Sequence, residues 1–353
     1  MLKTCLPTTR LLNTRYAVTI VAFVLVFLQG FGRAEASTVS CEGTPALTAN
    51  ETLSRVYDEV QFLGIAVPDH LRLAPFDKLA DFLKLRGLDP RLKTIAVEDS
   101  AEIKDLYEFA SVHDIDYPEF EARAREKYKG INNQTKYVVD HVLPVLREMN
   151  RKRAGDPILM VPIDSMTTEA AFQIFAPGFG EKIRGIPASL STDGIEQRFF
   201  GSISRERGTA ANFKKLITDR FPGRKGIVIY HGAHNFKNLS AVGSDRIQGE
   251  LIAKRTYLGW ISMASHLVPE LRASYKVVAT DYDSPLTPPS YLIPEELLAC
   301  AKLGESSGFI WSAVAKRQAD LFTPKSFYHG YRAGTIEIVD STKPVFDAII
   351  VDR

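Results

Sequence analysis

The sequence is poor in cysteine and has no excess of either charge. Its 353 residues include three cysteines, too few for a disulfide scaffold or a cysteine-rich zinc module. The formal net charge is +2 and no basic stripe stands out, so we expect no nucleic-acid partner. Hydrophobic residues make up 45% and charged residues 24%, as in globular proteins. These values favour an α/β enzyme that acts on a small molecule.

Several common catalytic motifs are also missing. The sequence has no G-x-S-x-G elbow, which argues against a serine hydrolase of the α/β-hydrolase type. It has no Walker motif and no G-x-G-x-x-G after an apolar strand pattern, so nothing supports a nucleotide cofactor.

Long apolar runs are absent outside the N-terminal segment. Residues 1–36 combine basic residues, the 12-residue apolar run Ala17–Leu28 and an Ala34-Glu35-Ala36 cleavage signal, which together are typical of a secretory signal peptide. The run is shorter than the roughly 20 apolar residues of a membrane-spanning helix, so an uncleaved anchor is the less favoured alternative. Cleavage near Ala36 and Ser37 would release an exported protein, periplasmic or extracellular, with no stable membrane span.

The mature chain is predicted to begin with a tail and continue as one domain. Residues 37–55 are expected to form a flexible tail, and residues 56–353 a single α/β domain with a helical insertion at about residues 112–150. Cys5 would be lost with the signal peptide. Cys41 and Cys300 would then be available for one disulfide in an oxidising compartment.

Six short apolar runs, rich in valine and isoleucine, predict buried strands. Continuous apolar runs of this length are typical of strands that are covered on both faces, as in a mainly parallel sheet. The runs are Phe62–Val67, Thr94–Val97, Ile158–Ile163, Gly226–Tyr230, Tyr275–Thr280 and Ala348–Val351.

Helical patterns separate these runs. The predicted helices are Leu71–Leu85, Ala101–Ser111, Thr135–Met149, Thr209–Phe221 and Ile293–Leu303. Alternation of strands and helices predicts right-handed crossovers and an α/β fold of three layers, with a mainly parallel sheet and helices on both faces.

Titratable residues follow every predicted strand. In open α/β sheets, ligands bind beyond the carboxyl ends of the strands, so these side chains are expected to converge on one rim. The residues in question are Asp69, His70, Glu98, Asp99, Asp164, His231, His234, Asp281, Asp283 and Asp352. Any one of them could be a solvated turn residue, and we assign Asp283 and Asp352 to that class.

The segment His231-Gly232-Ala233-His234 is the most informative of these strand ends. Two imidazoles three residues apart, where a strand meets a loop, can face one pocket, and histidine is suited to proton transfer near neutral pH. The pair could also bind a metal together with a carboxylate. At least one of the two histidines is therefore predicted to be functional.

Two stretches resemble the erythromycin esterase family. Residues 204–216, SRERGTAANFKKL, and residues 226–235, GIVIYHGAHN, are similar to its R-D/E-x-x-M-A helix and the apolar strand that follows, which ends in histidine. Thr94–Glu98, Leu159–Asp164 and Phe346–Val351 resemble the strand with the active-site Glu, the central strand and the closing strand of that family. The same superfamily includes ChaN-type haem-binding proteins and TraB/TIKI metalloproteases, and the resemblance covers most of residues 60–353.

Two departures from the family pattern affect the histidines. The first strand of the family ends in G-E-x-x-H or a similar element, whereas this chain has Gly64-Ile-Ala-Val-Pro-Asp-His70, so that His70 stands in for the family histidine or this half of the site is lost. The second element has Gly232 where the esterases carry Asn.

The resemblance implies a secreted hydrolase. Its catalytic residues would be Glu98, His231, His234, His70 and Arg205. Either His234 or His70 would activate water to attack an ester or a related carbonyl, and Glu98 would orient and stabilise the imidazolium. Arg205 would bind an anionic group or stabilise an oxyanion, or else form a salt bridge at the start of a helix.

Two other functions use the same residues. In a metal-assisted hydrolase, His231, His234 and either Glu98 or Asp164 would bind a divalent ion. In the absence of a metal, Asp164 would orient His231 or hold the loop. The alternative class is a non-enzymatic protein of the ChaN type that binds haem, iron or another ligand through a histidine of this pocket.

Overall fold

A computed structural model describes the chain over fifteen stretches between Ala46 and Asp352. They are residues 46–68, 72–127, 131, 134–153, 155–165, 202–237, 239–247, 250–251, 256–260, 262–280, 300–301, 305–310, 325–329, 332–338 and 346–352. The predicted signal peptide, residues 1–36, lies outside these stretches, as do Cys41, Asp69 and His70. Of the predicted helix Ile293–Leu303, only residues 300 and 301 are described.

The main sheet has eight strands, and all six predicted strands belong to it. Its strands are β1 (Leu47–Thr48), β2 (Phe62–Val67), β3 (Leu92–Ser100), β4 (Leu159–Asp164), β5 (Lys225–His231), β9 (Tyr275–Thr280), β10 (Ser306–Ile310) and β13 (Ala348–Asp352). The order across the sheet is β1-β10-β13-β9-β2-β5-β3-β4. The six strands from β13 to β4 are parallel to their neighbours, while β10 and β1 pair antiparallel at one edge.

A second sheet was not predicted from the sequence. Its strands are β6 (Leu239–Ile247), β7 (Glu250–Leu251), β8 (Thr256–Trp260), β11 (Lys325–His329) and β12 (Arg332–Ile338), and all pairings in it are antiparallel. These segments mix glycine and charged residues with apolar ones, so none of them has the continuous apolar pattern of a strand buried on both faces.

Helices connect the strands of the main sheet. They are α1 (Ala49–Glu59), α2 (Ala74–Arg86), α3 (Lys104–Ala110), α4 (Tyr117–Lys127), α5 (Gln134–Tyr137), α6 (Leu143–Arg151), α7 (Ser202–Phe213), α8 (Gly232–Asn235), α9 (Met263–His266) and α10 (Pro269–Ala273). A 3-10 turn precedes α3, and π-helical turns join α5 to α6 and extend α7 to Thr218. Helices α4 to α6 lie between β3 and β4, where the helical insertion was predicted.

Two apolar cores flank the main sheet, which confirms the predicted three-layer α/β fold. Along β2, Leu63 and Ile65 pack into one core together with side chains of α1 to α6. The alternate residues Phe62 and Ala66 pack into the other core together with side chains of α7 and α9. Successive side chains of a strand point to opposite faces, so each face of the sheet is covered by its own set of helices.

Helix α1 lies where the sequence analysis expected part of a flexible tail. The tail was predicted to reach residue 55, but α1 begins at Ala49 behind a capping box. The Thr48 hydroxyl accepts from the backbone N–H of Glu51 at 3.2 Å, and the Glu51 carboxylate accepts from the backbone N–H of Thr48 at 2.8 Å. Leu53 and Val56 of α1 then pack into the core. The boundary of the domain therefore lies before residue 49.

Two further observations concern Cys300 and the apolar character of the helices. Cys300 is disulfide-bonded, while pairing with Cys41 stays a prediction because Cys41 lies outside the described stretches. Within those stretches, none of the helices combines the length and apolar character needed to cross a bilayer.

Candidate active site

The site lies at the carboxyl-terminal edge of the main sheet. Strands β5, β3 and β4 are consecutive and parallel, so their last residues meet at one edge. Glu98 lies near the end of β3, Asp164 is the last residue of β4, and His231 is the last residue of β5. The predicted convergence of polar side chains on this rim is thus present in the structure.

Strand β3 has a bulge near its polar C-terminal end. The register between β3 and β4 shifts between Val97 and Ser100, so that β3 contains one residue more than β4 over this stretch. Such a bulge redirects side chains near the end of a strand. Glu98, Asp99 and Ser100 are all buried here, and the strand therefore extends through the residues that the sequence analysis placed after it.

Arg205 of α7 binds both of the carboxylates from these strands. Its Nε donates to Asp164 Oδ1 at 2.9 Å and to Oδ2 at 3.1 Å, and its Nη2 donates to Asp164 Oδ2. The same Nη2 donates to Glu98 Oε1 at 3.1 Å. Arg205 therefore offsets part of the charge of two buried acids and joins α7 to β3 and β4, while Nη1 has no hydrogen bond within the described stretches.

Glu98 is held through its second oxygen as well. Oε2 accepts from the backbone N–H of His231 at 2.8 Å and from the side-chain amide of Gln134 at 3.4 Å. Donors on α5, α7 and the end of β5 therefore contact a single carboxylate. Hydrogen bonds to the ionised form favour that form, so these donors support a charged Glu98.

His234 pairs with a carboxylate that sequence reasoning missed. Its Nδ1 lies 2.5 Å from Oε1 of Glu206, which is fully buried, while its Nε2 lies 4.0 Å from Glu98 Oε1. An ionised carboxylate only accepts, so the proton of this short contact belongs on Nδ1 when the imidazole is neutral. Glu206, rather than Glu98, therefore makes the orienting hydrogen bond with the imidazole.

Charge within the site shifts the pKa of its members. Burial and the nearby Arg205 charge lower the pKa of His234, but the charge and hydrogen bond of Glu206 together with the charge of Glu98 outweigh them, and the pKa lies above its ordinary value. Burial also lowers the pKa of Arg205, but the acidic groups around it, Tyr230, Asp164 and Glu98, raise it well above its ordinary value. For Tyr230, burial and the nearby carboxylates both raise the pKa, so its hydroxyl keeps its proton.

A buried network fixes the turn that carries His234. Asn235, the last residue of α8, donates from Nδ2 to the carbonyl of Ile65 at 3.1 Å, and its Oδ1 accepts from the Tyr275 hydroxyl. A Cβ at Gly64 would lie 2.8 Å from the Tyr275 hydroxyl and 2.9 Å from Asn235 Oδ1. Glycine is therefore required at residue 64 for this close approach.

Two buried polar atoms, one in the His234–Glu206 pair and one next to it, have no hydrogen-bond partner in the described part of the chain. They are the hydroxyl of Tyr230, a fully buried side chain, and Oε2 of Glu206. The Tyr230 ring packs edge-to-face against the His234 ring, with centroids 5.5 Å apart. Buried polar groups are usually paired, and unpaired ones concentrate at functional sites.

The structure brings together five of the six residues singled out from the sequence. These are Glu98, Asp164, Arg205, His231 and His234, while His70 lies outside the described stretches. Asp164 binds Arg205. Glu206 follows Arg205 directly in the stretch that resembles the esterase family. Its place in that motif could have indicated that it belongs to the site.

The described residues do not fit a metal ion. No group of three or more His, Cys, Asp or Glu side chains in these stretches is arranged to hold one. The two carboxylates predicted as metal ligands, Glu98 and Asp164, are instead bonded to Arg205. A haem carries two anionic propionates, whereas the site already holds three buried carboxylates, Glu98, Asp164 and Glu206, beside one guanidinium.

Comparisons with known proteins show the fold. No protein-family model and no curated protein matches the sequence. A solved succinoglycan biosynthesis protein is similar at 11% identity with a TM-score of 0.51, covering 91% of this chain and 98% of its own.

Two further matches come from the groups that the sequence resembles. One is an erythromycin esterase mutant in its open conformation, with 13% identity and a TM-score of 0.43 over 86% of this chain and 92% of its own. The other is the haem-bound ChaN of Campylobacter jejuni, with 9% identity and a TM-score of 0.32 over 69% of this chain and 93% of its own. The match to the succinoglycan biosynthesis protein shows that this chain shares the fold of that solved structure.

Proposed function

We propose that the protein is a hydrolase in which His234 activates water to attack an ester or a related carbonyl. The observation that carries the proposal is the geometry of His234. Its Nδ1 pairs with Glu206 at 2.5 Å, and its Nε2 faces Glu98 Oε1 across 4.0 Å. A histidine oriented by a carboxylate is the usual arrangement of a general base.

The 4.0 Å separation suits a water molecule. One water can bond to both Nε2 and Oε1, since each of its hydrogen bonds is about 2.8 Å long. The neutral imidazole takes a proton from this water as its oxygen bonds to the carbonyl carbon. When the ester C–O bond breaks, the imidazolium returns the proton to the leaving alcohol, so that an acid and an alcohol are formed.

Arg205 and Glu98 would stabilise this reaction by charge. The Arg205 guanidinium uses Nε and Nη2 for the two carboxylates, and its Nη1 is left to bind the oxyanion of the tetrahedral intermediate. Donors fixed in place before the reaction need no reorganisation when charge develops. Glu98, which is not hydrogen-bonded to the imidazole, attracts the imidazolium electrostatically.

Hydrolysis of p-nitrophenyl acetate by the purified protein tests the proposal. Replacement of His234 by alanine is expected to lower kcat by about 10²- to 10⁴-fold, the usual contribution of a general base. His141→Ala is the matched control because His141 lies on the π-helical turn, beside Asp77 and outside the site. Equal activity of the wild type and His234→Ala would contradict the proposal.

The same proteins test the ligand-binding alternative. If the wild type does not hydrolyse esters but gives a Soret band with haem that His234→Ala loses, the site binds a ligand rather than catalysing hydrolysis. We expect no such band, because the buried acids Glu98, Asp164 and Glu206 outnumber the cations near them.

We also propose that the enzyme acts after export. The signal-peptide pattern in residues 1–36 and the disulfide at Cys300 support an oxidising compartment. N-terminal sequencing of the protein from the exported fraction is expected to begin near Ser37. A chain that retains residues 1–36 would contradict this proposal.

A further inference from the structure

The two oxygens of Glu98 have different surroundings. Oε1 faces His234 Nε2 and accepts from Arg205, so it is the oxygen turned toward the reaction. Oε2 accepts from the backbone of His231 and from the amide of Gln134. Since the carboxylate is planar, the donors that fix Oε2 also set the direction of Oε1.

Gln134 belongs to a part of the chain that has no role in the proposed chemistry so far. It is the first residue of α5, in the helical insertion, and its side chain is only 3% exposed. The next residue, Thr135, donates its hydroxyl to Asp99 Oδ2 at 2.5 Å, and Tyr107 donates to the same oxygen at 2.6 Å. Two successive residues of the insertion thus bind the two successive acids at the irregular end of β3.

A buried amide at this place needs a reason beyond packing. An apolar side chain of similar size would fill the space without desolvating a polar group. The Gln134 amide instead donates to Glu98, and as a neutral donor it supports the charged carboxylate without cancelling its charge.

We propose that Gln134 is a positioning residue, which holds Glu98 Oε2 so that Oε1 points at His234 Nε2. The proposal rests on the proposed function, because it concerns Glu98 and His234, which take part in the proposed reaction. Through Gln134, the helical insertion becomes part of the site rather than a cover over one face of the sheet.

Replacement of Gln134 by methionine tests this role, because methionine keeps the length of the side chain and removes the amide. The pKa of His234, followed by NMR of its ring carbon, is expected to fall below the wild-type value as Oε1 is released from its position. The kcat for p-nitrophenyl acetate is expected to fall about tenfold with little change in KM, since a small misplacement of a catalytic group is costly.

Thr135→Val is the matched control, because it removes a hydrogen bond to Asp99 from the neighbouring residue. It is expected to leave the pKa of His234 unchanged. If Gln134→Met does not fold, Gln134→Leu is measured in the same way. A folded Gln134 variant with the wild-type pKa of His234 would overturn the proposal. A wild type without esterase activity would overturn the proposed function, while the NMR titration would still decide the role of Gln134.

Discussion

Buried charged side chains at the two ends of β5 have different kinds of hydrogen-bond partner. At its beginning, Lys225 donates to the carbonyls of Tyr57, Asp58 and Val60, the last turn of α1 and the residue after it. At its end, the charged side chains pair with one another, and the Tyr230 hydroxyl, though buried, has no hydrogen-bond partner in the described stretches. At the first end the buried charge satisfies backbone carbonyls, whereas at the second end the buried charges mainly pair with one another.

Arg153 strengthens the comparison. It lies just after α6 and donates to the carbonyls of Gly87, Asp89 and Leu92 at 2.7 to 2.9 Å. Like Lys225, this cation therefore satisfies backbone carbonyls. Arg205 at the other edge donates to side-chain carboxylates instead. A buried cation bonded to carbonyls indicates a structural role, and a buried cation shared between acids indicates a candidate site.

The largest effect is expected from Arg205→Met. It leaves Glu98 and Asp164 buried without their cation, which costs about 3 to 5 kcal/mol of unfolding free energy in comparable cases. Urea denaturation measures the loss. Arg123→Met is the control, since Arg123 forms an exposed pair with Glu119 on α4 and should change stability by less than about 0.5 kcal/mol. Similar losses in the two variants would remove the distinction between site and surface.

At the opposite end of β5, Lys225→Met is expected to cost about 2 to 3 kcal/mol, because it leaves buried carbonyls at the end of α1 without a donor. Its effect on the pKa of His234 should be absent, since the two residues lie at opposite ends of the strand. Lys276→Met, which removes an exposed partner of Glu59, should be nearly neutral in the same denaturation experiment. A shifted pKa of His234 in Lys225→Met would show that the two ends are coupled.

A smaller effect concerns the dependence of stability on pH. The pKa of His234 is raised in the folded protein, so its contribution is fully present below the unfolded value. It is lost as the pH rises through the folded value. The wild type is therefore expected to lose unfolding free energy on going from the ordinary histidine value of about 6.5 to the higher folded pKa. Glu206→Gln keeps an acceptor but removes the charge, and should lose less over the same range. Identical slopes would contradict the pairing.

The smallest effect is expected from Tyr230→Phe, which removes a buried hydroxyl without a partner in the described stretches. The unfolding free energy should change by no more than about 0.5 kcal/mol. Tyr107→Phe is the matched control, because that buried hydroxyl donates to Asp99 at 2.6 Å and its removal should cost about 1 to 3 kcal/mol. Equal losses would show that the Tyr230 hydroxyl has a partner in the folded protein.

Much of the main sheet could be predicted from the sequence because its strands are buried on both faces. The predicted bounds of β2 and β9 coincide with those of the structure. Strand β2 ends at its last apolar residue, and β9 ends one residue after its last apolar residue, Ala279. Strand β3 extends into Glu98, Asp99 and Ser100, which an apolar pattern cannot reveal. Helix α1 could have been found from its capping box, whereas the antiparallel sheet has no comparable pattern.

The site was predictable in its location but only partly in its contacts. The strand ends placed Glu98, Asp164 and His231 on one rim, because parallel strands end at one edge. The partner of His234 was missed, since Glu206 lies among charged residues on a helix and looks like a solvated surface residue in the sequence. Which acid meets which base depends on how α7 packs against β4, and the sequence pattern does not specify it.

The most direct test of the His234–Glu206 pair is the pH profile of kcat/KM for p-nitrophenyl acetate in the wild type and in Glu206→Gln. A general base must be neutral, so activity in the wild type is expected to rise with pH around a midpoint above the ordinary histidine value of about 6.5. In Glu206→Gln the midpoint should move to lower pH, because the carboxylate that raises the pKa of His234 is gone. Coincident midpoints in the two proteins would contradict the account.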